Sequence, residues 1–157
     1  RATFHLPGGD DGQASMRRHH SGSWATQGGS SAGDAAATRT YECAIRRLDD
    51  YAAGMGRLDF VKCDVEGAEL AVIQGGAKTL ERLFPMLFLE TNPAWTKSFG
   101  YSPGDLVSAV RGLGYDTILI AEERLVPFAG AEIMGSVNLL CANSKIHAER
   151  LRFLDGL

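Results

Sequence analysis

The sequence lacks the features that would mark a protein for a nucleic acid or a membrane. Its formal net charge is −3, and no cluster of Lys and Arg forms the basic patch that both kinds of surface attract. No apolar run approaches the roughly 18 residues that suggest a membrane-spanning helix. We therefore expect no nucleic-acid partner and no membrane span.

Cysteine is also scarce. The three residues, Cys43, Cys63 and Cys141, are odd in number and widely spaced, so they match neither a disulfide framework nor a paired zinc motif. Cys63 and Cys141 fall within strand-like segments, where a free cysteine behaves as a small buried hydrophobe. This usage predicts a reducing, cytoplasmic location.

Large aliphatic residues are missing from one long stretch. Residues 7–37 contain no Leu, Ile, Val or Phe and are rich in Gly, Ser, Asp and Ala, so they can bury little surface. We predict that residues 1–47 form a Gly/Ser-rich loop segment flanked by two short strands, "ATFHL" and "TYECAI". Residues 48–157 then carry the core of one compact domain, which a chain of 157 residues with 45% hydrophobic content can build.

Alternating strand and helix patterns follow from Leu58 onward. "LDFVKC" and "PMLFLE" are short apolar runs typical of buried strands. Between them, apolar residues recur at spacings of three and four, which predicts a helix, and Gly75 and Gly76 divide it into two short ones. A second helix begins at Ser102, which can cap it together with Asp105, and it stops at Gly114.

Two further strands, "YDTILI" and "SVNLLCA", complete the pattern. They are separated by a loop around Pro127 and Gly130. The order of elements predicts an α/β fold with a mostly parallel sheet, helices packed on it and an antiparallel last strand.

Acidic and amide side chains lie where two of these strands end. Asp64 and Glu66 follow the first strand, and Glu90 and Asn92 lie at the end of the next. In open α/β sheets, ligands bind outside the carboxyl ends of the strands, so these groups are candidates for a site. Acidic residues are equally typical of helix starts, where they cap the helix and complement its dipole. The spacing alone leaves both interpretations open.

The stretch "LDFVKCDVEGAELAVIQGGAKTLERLFPMLFLETN" resembles the FkbM-type methyltransferases. The family's core has the same hydrophobic strand, the same Lys, Asp, Val, Glu, Gly, Ala, Glu order, a Gly-Ala turn and a Pro-led strand that ends in Glu. The resemblance continues through "FGYSPGDLVSAVRGLGY" and covers about residues 48–142.

The resemblance implies a class I, Rossmann-like methyltransferase fold that uses S-adenosylmethionine as cofactor. It implies transfer to a hydroxyl oxygen of a small acceptor, such as a sugar or a natural product. Asp64 and Glu66 are then the predicted catalytic residues, and Glu69, Glu90 and Asn92 line or support the acceptor side. A carboxylate can accept the acceptor's proton, and we rank this role and positioning above binding of a hard cation by Asp64, Glu66 and Glu90. No metal is therefore expected.

One part of the family's pattern is not found. The Gly-rich turn that cradles the cofactor should follow an early strand and open a helix, whereas "PGGDDG" at residues 7–12 has neither context. Cofactor-binding residues are therefore not assigned. The sequence predicts the C-terminal part of a methyltransferase domain, inactive when isolated.

Three other functions fit some of the residues. An acidic cluster at strand ends can hold Mg²⁺ for phosphoryl transfer or in a receiver-like domain, although the Lys expected after a later strand is missing. A non-catalytic remnant of the fold could serve an interaction. "NPAW", residues 92–95, resembles a nitrogen-methylation motif, but Ala94 departs from it and a loop is the simpler interpretation.

Overall fold

The computed structural model describes residues 1–6, 16, 39–121, 123–130 and 132–154. In these residues the strands are β1 Ala2–Leu6, β2 Arg39–Cys43, β3 Phe60–Cys63, β4 Met86–Thr91, β5 Thr117–Ala121, β6 Leu125–Pro127 and β7 Val137–Ala142. The helices are α1 Leu48–Tyr51, α2 Glu69–Gly75, α3 Ala77–Leu83, α4 Pro93–Ser98, α5 Pro103–Gly112 and α6 Ala148–Leu154.

The first two strands form a sheet of their own. β1 and β2 pair antiparallel, with Ala2 opposite Cys43 and Leu6 opposite Arg39. This confirms the two short strands predicted near the start of the sequence. The loop predicted over residues 7–37 and the Gly cluster at residues 7–12 lie outside the described residues, apart from Met16. The division of the chain after residue 47 stays a prediction.

The main sheet has five strands in the order β3-β4-β7-β5-β6. β3 and β4 pair in parallel, and the other three pairings are antiparallel. The antiparallel direction predicted for "SVNLLCA" is confirmed. The sheet is mixed rather than mostly parallel, because β7 inserts between β4 and β5 and separates two strands that share a direction.

Two short helices connect β3 to β4, as the Gly75-Gly76 pair predicts. A methyl group on Gly76 would lie 2.6 Å from Cδ2 of Leu48, so glycine lets α1 pack on the junction between the helices. From the same helix, Asp49 caps α3, since its Oδ1 accepts a hydrogen bond from the amide of Thr79 over 2.9 Å. The break between α2 and α3 is therefore stabilised from outside by α1.

Helix α5 starts where its sequence predicts. The Ser102 hydroxyl accepts from the amide of Asp105 over 3.3 Å, and the Asp105 carboxylate accepts from the amide of Ser102 over 2.8 Å. This reciprocal capping box fixes the amino end. The helix ends at Gly112, two residues before the predicted stop, and Gly114 follows with a positive φ of 92°.

The core lies between the main sheet and helices α2, α3 and α5. Buried members include Ile73, Leu80, Leu87, Leu106, Val110 and Leu139. The other face of the sheet carries a smaller cluster of Met86, Leu140 and Ala142, packed against side chains that include Leu151 and Leu154 of α6. Cys63 and Cys141 are buried and free, as predicted, and burial raises the pKa of both thiols to about 12.

The buried residue His147, just before α6, joins that helix to the end of α3. Nδ1 of His147 accepts from the amide of Asn143 over 2.9 Å, and Nε2 lies 2.8 Å from the carbonyl of Phe84. Because Nδ1 accepts, the ring proton is on Nε2, which donates to Phe84. This contact spans 63 residues of sequence. It anchors α6. This helix is one of four elements that the sequence did not predict, and the other three are α1, α4 and β6.

Candidate active site

The segment between β3 and α2, residues 64–68, reverses the chain through two consecutive left-handed residues. We call it the acidic turn. Glu66 has a φ of 55° and Gly67 a φ of 100°. Glycine adopts such a conformation freely, whereas glutamate is uncommon there, so its neighbours must hold Glu66 in place.

Gly67 also has no room for a side chain. A Cβ at this position would lie 2.8 Å from Cδ2 of Phe99 and 3.0 Å from the carbonyl oxygen of Trp95. Both residues belong to the α4 region, which follows β4. The acidic turn and the segment after β4 are thus packed directly against each other.

Glu69 holds the acidic turn from inside. Its Oε1 accepts hydrogen bonds from the amides of Val65 and Gly67, each over 3.1 Å. Its Oε2 accepts from the hydroxyl of Tyr101 over 3.0 Å, and the side chain is 2% exposed. Burial raises the pKa of Tyr101 and the nearby Glu69 carboxylate raises it further, so the hydroxyl keeps its proton and donates it. Glu69 therefore supports the site and has little surface to offer a ligand.

Asp64 and Glu90 lie side by side at the carboxyl ends of β3 and β4. The parallel register places Cys63 beside Leu89, so the next residue of each strand brings these two carboxyl groups together. Each carboxyl group influences the other: after the Lys62 contact, Glu90 also lowers the pKa of Asp64, and after burial, Asp64 also raises the pKa of Glu90. Neighbouring carboxyl groups oppose each other's ionisation, so the two lose their protons at different pH.

The surroundings decide which carboxyl group has the lower pKa. Nζ of Lys62 lies 2.8 Å from Oδ2 of Asp64, and this contact is the main reason that the pKa of Asp64 is lowered. Glu90 is more buried, and burial is the main reason that its pKa is raised. Asp64 accordingly ionises at a lower pH than Glu90.

Ser136 fixes the other side of Glu90. Its hydroxyl donates to Oε1 of Glu90 over 2.7 Å, from the segment that leads into β7. Lys62, Asp64, Glu90 and Ser136 thus form a continuous polar row across the ends of three neighbouring strands. The row combines one carboxyl group whose pKa is lowered with one whose pKa is raised.

The other predicted site residues have different surroundings. Glu66 is 7% exposed, so its carboxyl group is mostly withdrawn from solvent. Asn92 caps α4, because its Oδ1 accepts from the amide of Ala94 over 2.9 Å. The "NPAW" segment is consequently the start of a helix and not a loop, since Asn92 caps it and Pro93 suits its first position.

Three residues of the site were not predicted from the sequence. Lys62 precedes Asp64 by two positions, a spacing that puts strand side chains on one side, so it could have been recognised. Ser136 is 46 residues from Glu90, and Tyr101 is 32 residues from Glu69. Contacts of that range depend on the order of strands in the sheet and leave no local signal.

The described part of the chain contains no metal-binding cluster. Within it, no three His, Cys, Asp or Glu side chains converge closely enough to hold a metal ion. None of the described helices is long and apolar enough to cross a membrane.

Comparison with known families gives one match. The family model described as the methyltransferase FkbM domain matches residues 1–117. No curated protein and no solved structure shows a significant match to the chain. The family match includes β1, β2, β3, the acidic turn and β4.

Proposed function

Since the chain belongs to the FkbM methyltransferase domain family, we propose that it transfers a methyl group from S-adenosylmethionine to a hydroxyl oxygen of a small acceptor. The observation that carries this proposal is the Asp64–Glu90 pair, in which Asp64 is ion-paired with Lys62 and the adjacent Glu90 is hydrogen-bonded to Ser136. The pair lies at the carboxyl ends of parallel strands, where α/β folds bind ligands.

Asp64 is the residue that we assign to the acceptor hydroxyl. Its carboxylate can accept a hydrogen bond from that hydroxyl and turn an oxygen lone pair towards the methyl group. A hydroxyl with a pKa near that of water, about 15.7, cannot be ionised first by a carboxylate whose pKa is below 3.8, since the transfer would cost on the order of 15 kcal/mol. The proton therefore passes to Asp64 as the oxygen–methyl bond forms, when the oxygen becomes strongly acidic.

Glu90, Glu69 and Asn92 are assigned supporting roles. Glu90 lies beside Asp64 and is oriented by Ser136. Glu69 holds the acidic turn, and Asn92 starts the helix that packs against it. Glu66 remains a catalytic candidate through its place in the acidic turn, where its backbone conformation is strained.

S-adenosylmethionine supplies an electrophilic methyl group on a positively charged sulfur. The described residues fit one side of such a molecule, because an ionised carboxylate beside the acceptor favours a cation. Within the described residues, no strand leads through a Gly-rich turn into a helix, so we assign none of them to the cofactor's amino acid or ribose. We propose that the 157-residue chain by itself does not bind these groups tightly. Titration calorimetry of the 157-residue chain with S-adenosylmethionine tests this, and micromolar binding would contradict it.

The activity is tested by comparing Asp64→Asn with the parent sequence in the complete gene product. Asparagine keeps the shape and loses the negative charge, so we expect methyl transfer to fall about 100-fold with little change in the unfolding midpoint. Asp50→Asn is the matched control, because Asp50 is exposed on α1 and the substitution removes one negative charge away from the site. Equal turnover of Asp64→Asn and the parent would refute the role of Asp64.

A further inference from the structure

A groove lies between α4, one face of α5 and residues 128, 130, 132 and 133. Its volume is about 640 Å³, within the range of small-molecule binding sites. Six of the residues that line it are Lys97, Tyr101, Ser102, Arg111, Phe128 and Glu132. It combines an aromatic wall, hydroxyl groups and charged side chains from three separate segments.

Both walls of the groove continue along the chain to residues of the polar row, Glu90 on one side and Ser136 on the other. One wall begins at Pro93, three residues after Glu90. The opposite wall continues from Ile133 to Ser136, whose hydroxyl is 2.7 Å from Oε1 of Glu90. Tyr101 lines the groove and donates to Glu69 beneath the acidic turn. On each wall, three positions of sequence thus separate the groove from Glu90 or from its partner Ser136.

The charges of the groove are unbalanced towards positive. Lys97 and Arg111 line it as cations, and Glu132 is the acidic side chain among its lining residues. In the described part of the chain, neither cation forms an ion pair with a carboxylate. By contrast, Arg57 and Arg150 at the other end of the sheet are both paired with Asp59. Lys97 and Arg111 are thus available to a ligand.

We propose that this groove binds the acceptor, and that the acceptor is a small hydroxylated molecule with an anionic group, a carboxylate or a phosphate, held by Lys97 and Arg111. The inference rests on the proposed function for its link to catalysis. The anion fixes one end of the molecule, and a hydroxyl at the other end reaches Asp64. Phe128 provides an apolar wall for the carbon skeleton.

Binding is tested on the 157-residue chain with three sugars that differ in charge. Glucose 6-phosphate and glucuronate represent the two anions, and glucose is the neutral counterpart. We expect at least one anion to shift the amide NMR signals of residues 97–111 and 128–133 at millimolar concentration, with glucose weaker by about tenfold. Added salt should weaken the anion and leave glucose unchanged, because the cations are exposed and screened.

Charge reversal shows whether the two cations are responsible. Each exposed cation contributes about two- to fivefold in affinity, so Lys97→Glu with Arg111→Glu should weaken the anion about tenfold or more. Lys78→Glu on α3 is the control, because it makes the charge change of one of these two substitutions outside the groove and should have no effect. Arg111→Gln alone provides a milder variant if the double change unfolds the chain, and it should still weaken the anion.

Three results would overturn the inference: no shift with either anion, equal binding of glucose, or undiminished anion binding by the charge-reversed chain. None of them depends on methyl transfer. A failure of the inference is therefore distinguishable from a failure of the proposed function, which the Asp64→Asn comparison decides. Glucose 6-phosphate binding with glucuronate excluded would identify the anion as a phosphate.

Discussion

The hydroxyl of Tyr101 donates to Oε2 of Glu69 over 3.0 Å, while Oε1 of the same carboxylate receives the amides of Val65 and Gly67. One buried carboxylate therefore joins the acidic turn after β3 to the segment between α4 and α5. The relation explains why an acidic residue begins α2 without facing solvent.

Glu69→Ala should destabilise the fold by about 2–3 kcal/mol, because it leaves two amides and a buried hydroxyl without their acceptor. Tyr101→Phe removes one hydrogen bond and should cost about 1–2 kcal/mol. Urea unfolding followed by circular dichroism measures both values. Ser108→Ala is the control, since that hydroxyl is exposed and bonds to the carbonyl of Gly104 within the same helix. If Glu69→Ala cost no more than Ser108→Ala, the structural role of Glu69 would be wrong.

Gly67→Ala should be among the more damaging single substitutions. The backbone has a φ of 100°, and the new methyl group would lie 2.8 Å from the ring of Phe99. We expect a loss of about 2–4 kcal/mol from strain and overpacking together. Gly112→Ala provides the opposite result, because Gly112 ends α5 with open space around it, and alanine there should stabilise by up to about 1 kcal/mol. Thermal unfolding of the two variants should therefore move in opposite directions.

Much of the fold could be predicted because its signals are local. The Ser102 capping box, the Gly75-Gly76 break and the apolar runs of β3, β4, β5 and β7 each lie within a few residues of sequence. The strand β6 has three residues and ends at Pro127, and α1 has four residues, so neither is long enough to show a period. The direction of sheet pairing was harder to predict, because it depends on where β7 inserts.

The candidate site could be predicted only as a cluster of positions. The sequence places Asp64 and Glu90 at strand ends, and the register of β3 with β4 then makes them neighbours. It does not show that Glu69 turns inward, since an acidic residue at a helix start is typical of both a cap and a ligand. Nor does it show Ser136, which reaches Glu90 across 46 residues.

The free edge of β3 predicts self-association. In the described sheet β3 pairs with β4 alone, and Phe60 on it is 51% exposed. Lys62 would normally protect such an edge, but its charge is matched by Asp64. The opposite edge, β6, is short and contains Pro127, so it is a poorer template.

Sedimentation should therefore show a mass that rises with concentration for the parent chain and stays near that of a monomer for Phe60→Lys. Ile146→Lys is the control, because Ile146 is 57% exposed but lies in the turn before α6. A parent chain that remains monomeric at all concentrations would contradict the prediction.

Glu90→Gln should change how stability depends on pH. Burial and the neighbouring Asp64 raise the pKa of Glu90 above its ordinary value of 4.5, so the folded state binds this proton more tightly than the unfolded state. The resulting stabilisation is complete below about pH 4.5 and is lost as the pH rises through the folded-state pKa. Glutamine imitates the protonated acid, because its amide can donate to Asp64 while its oxygen accepts from Ser136. We therefore expect the variant to gain stability relative to the parent across this interval and to keep a constant advantage above it.

The lowered pKa of Asp64 acts in the opposite direction, with stability lost as the pH falls below 3.8, in both proteins. Urea unfolding from pH 3 to 8 separates the two effects, with Glu81→Gln on the exposed face of α3 as the control. A parent-to-variant difference that does not change with pH would show that folding does not raise the pKa of Glu90.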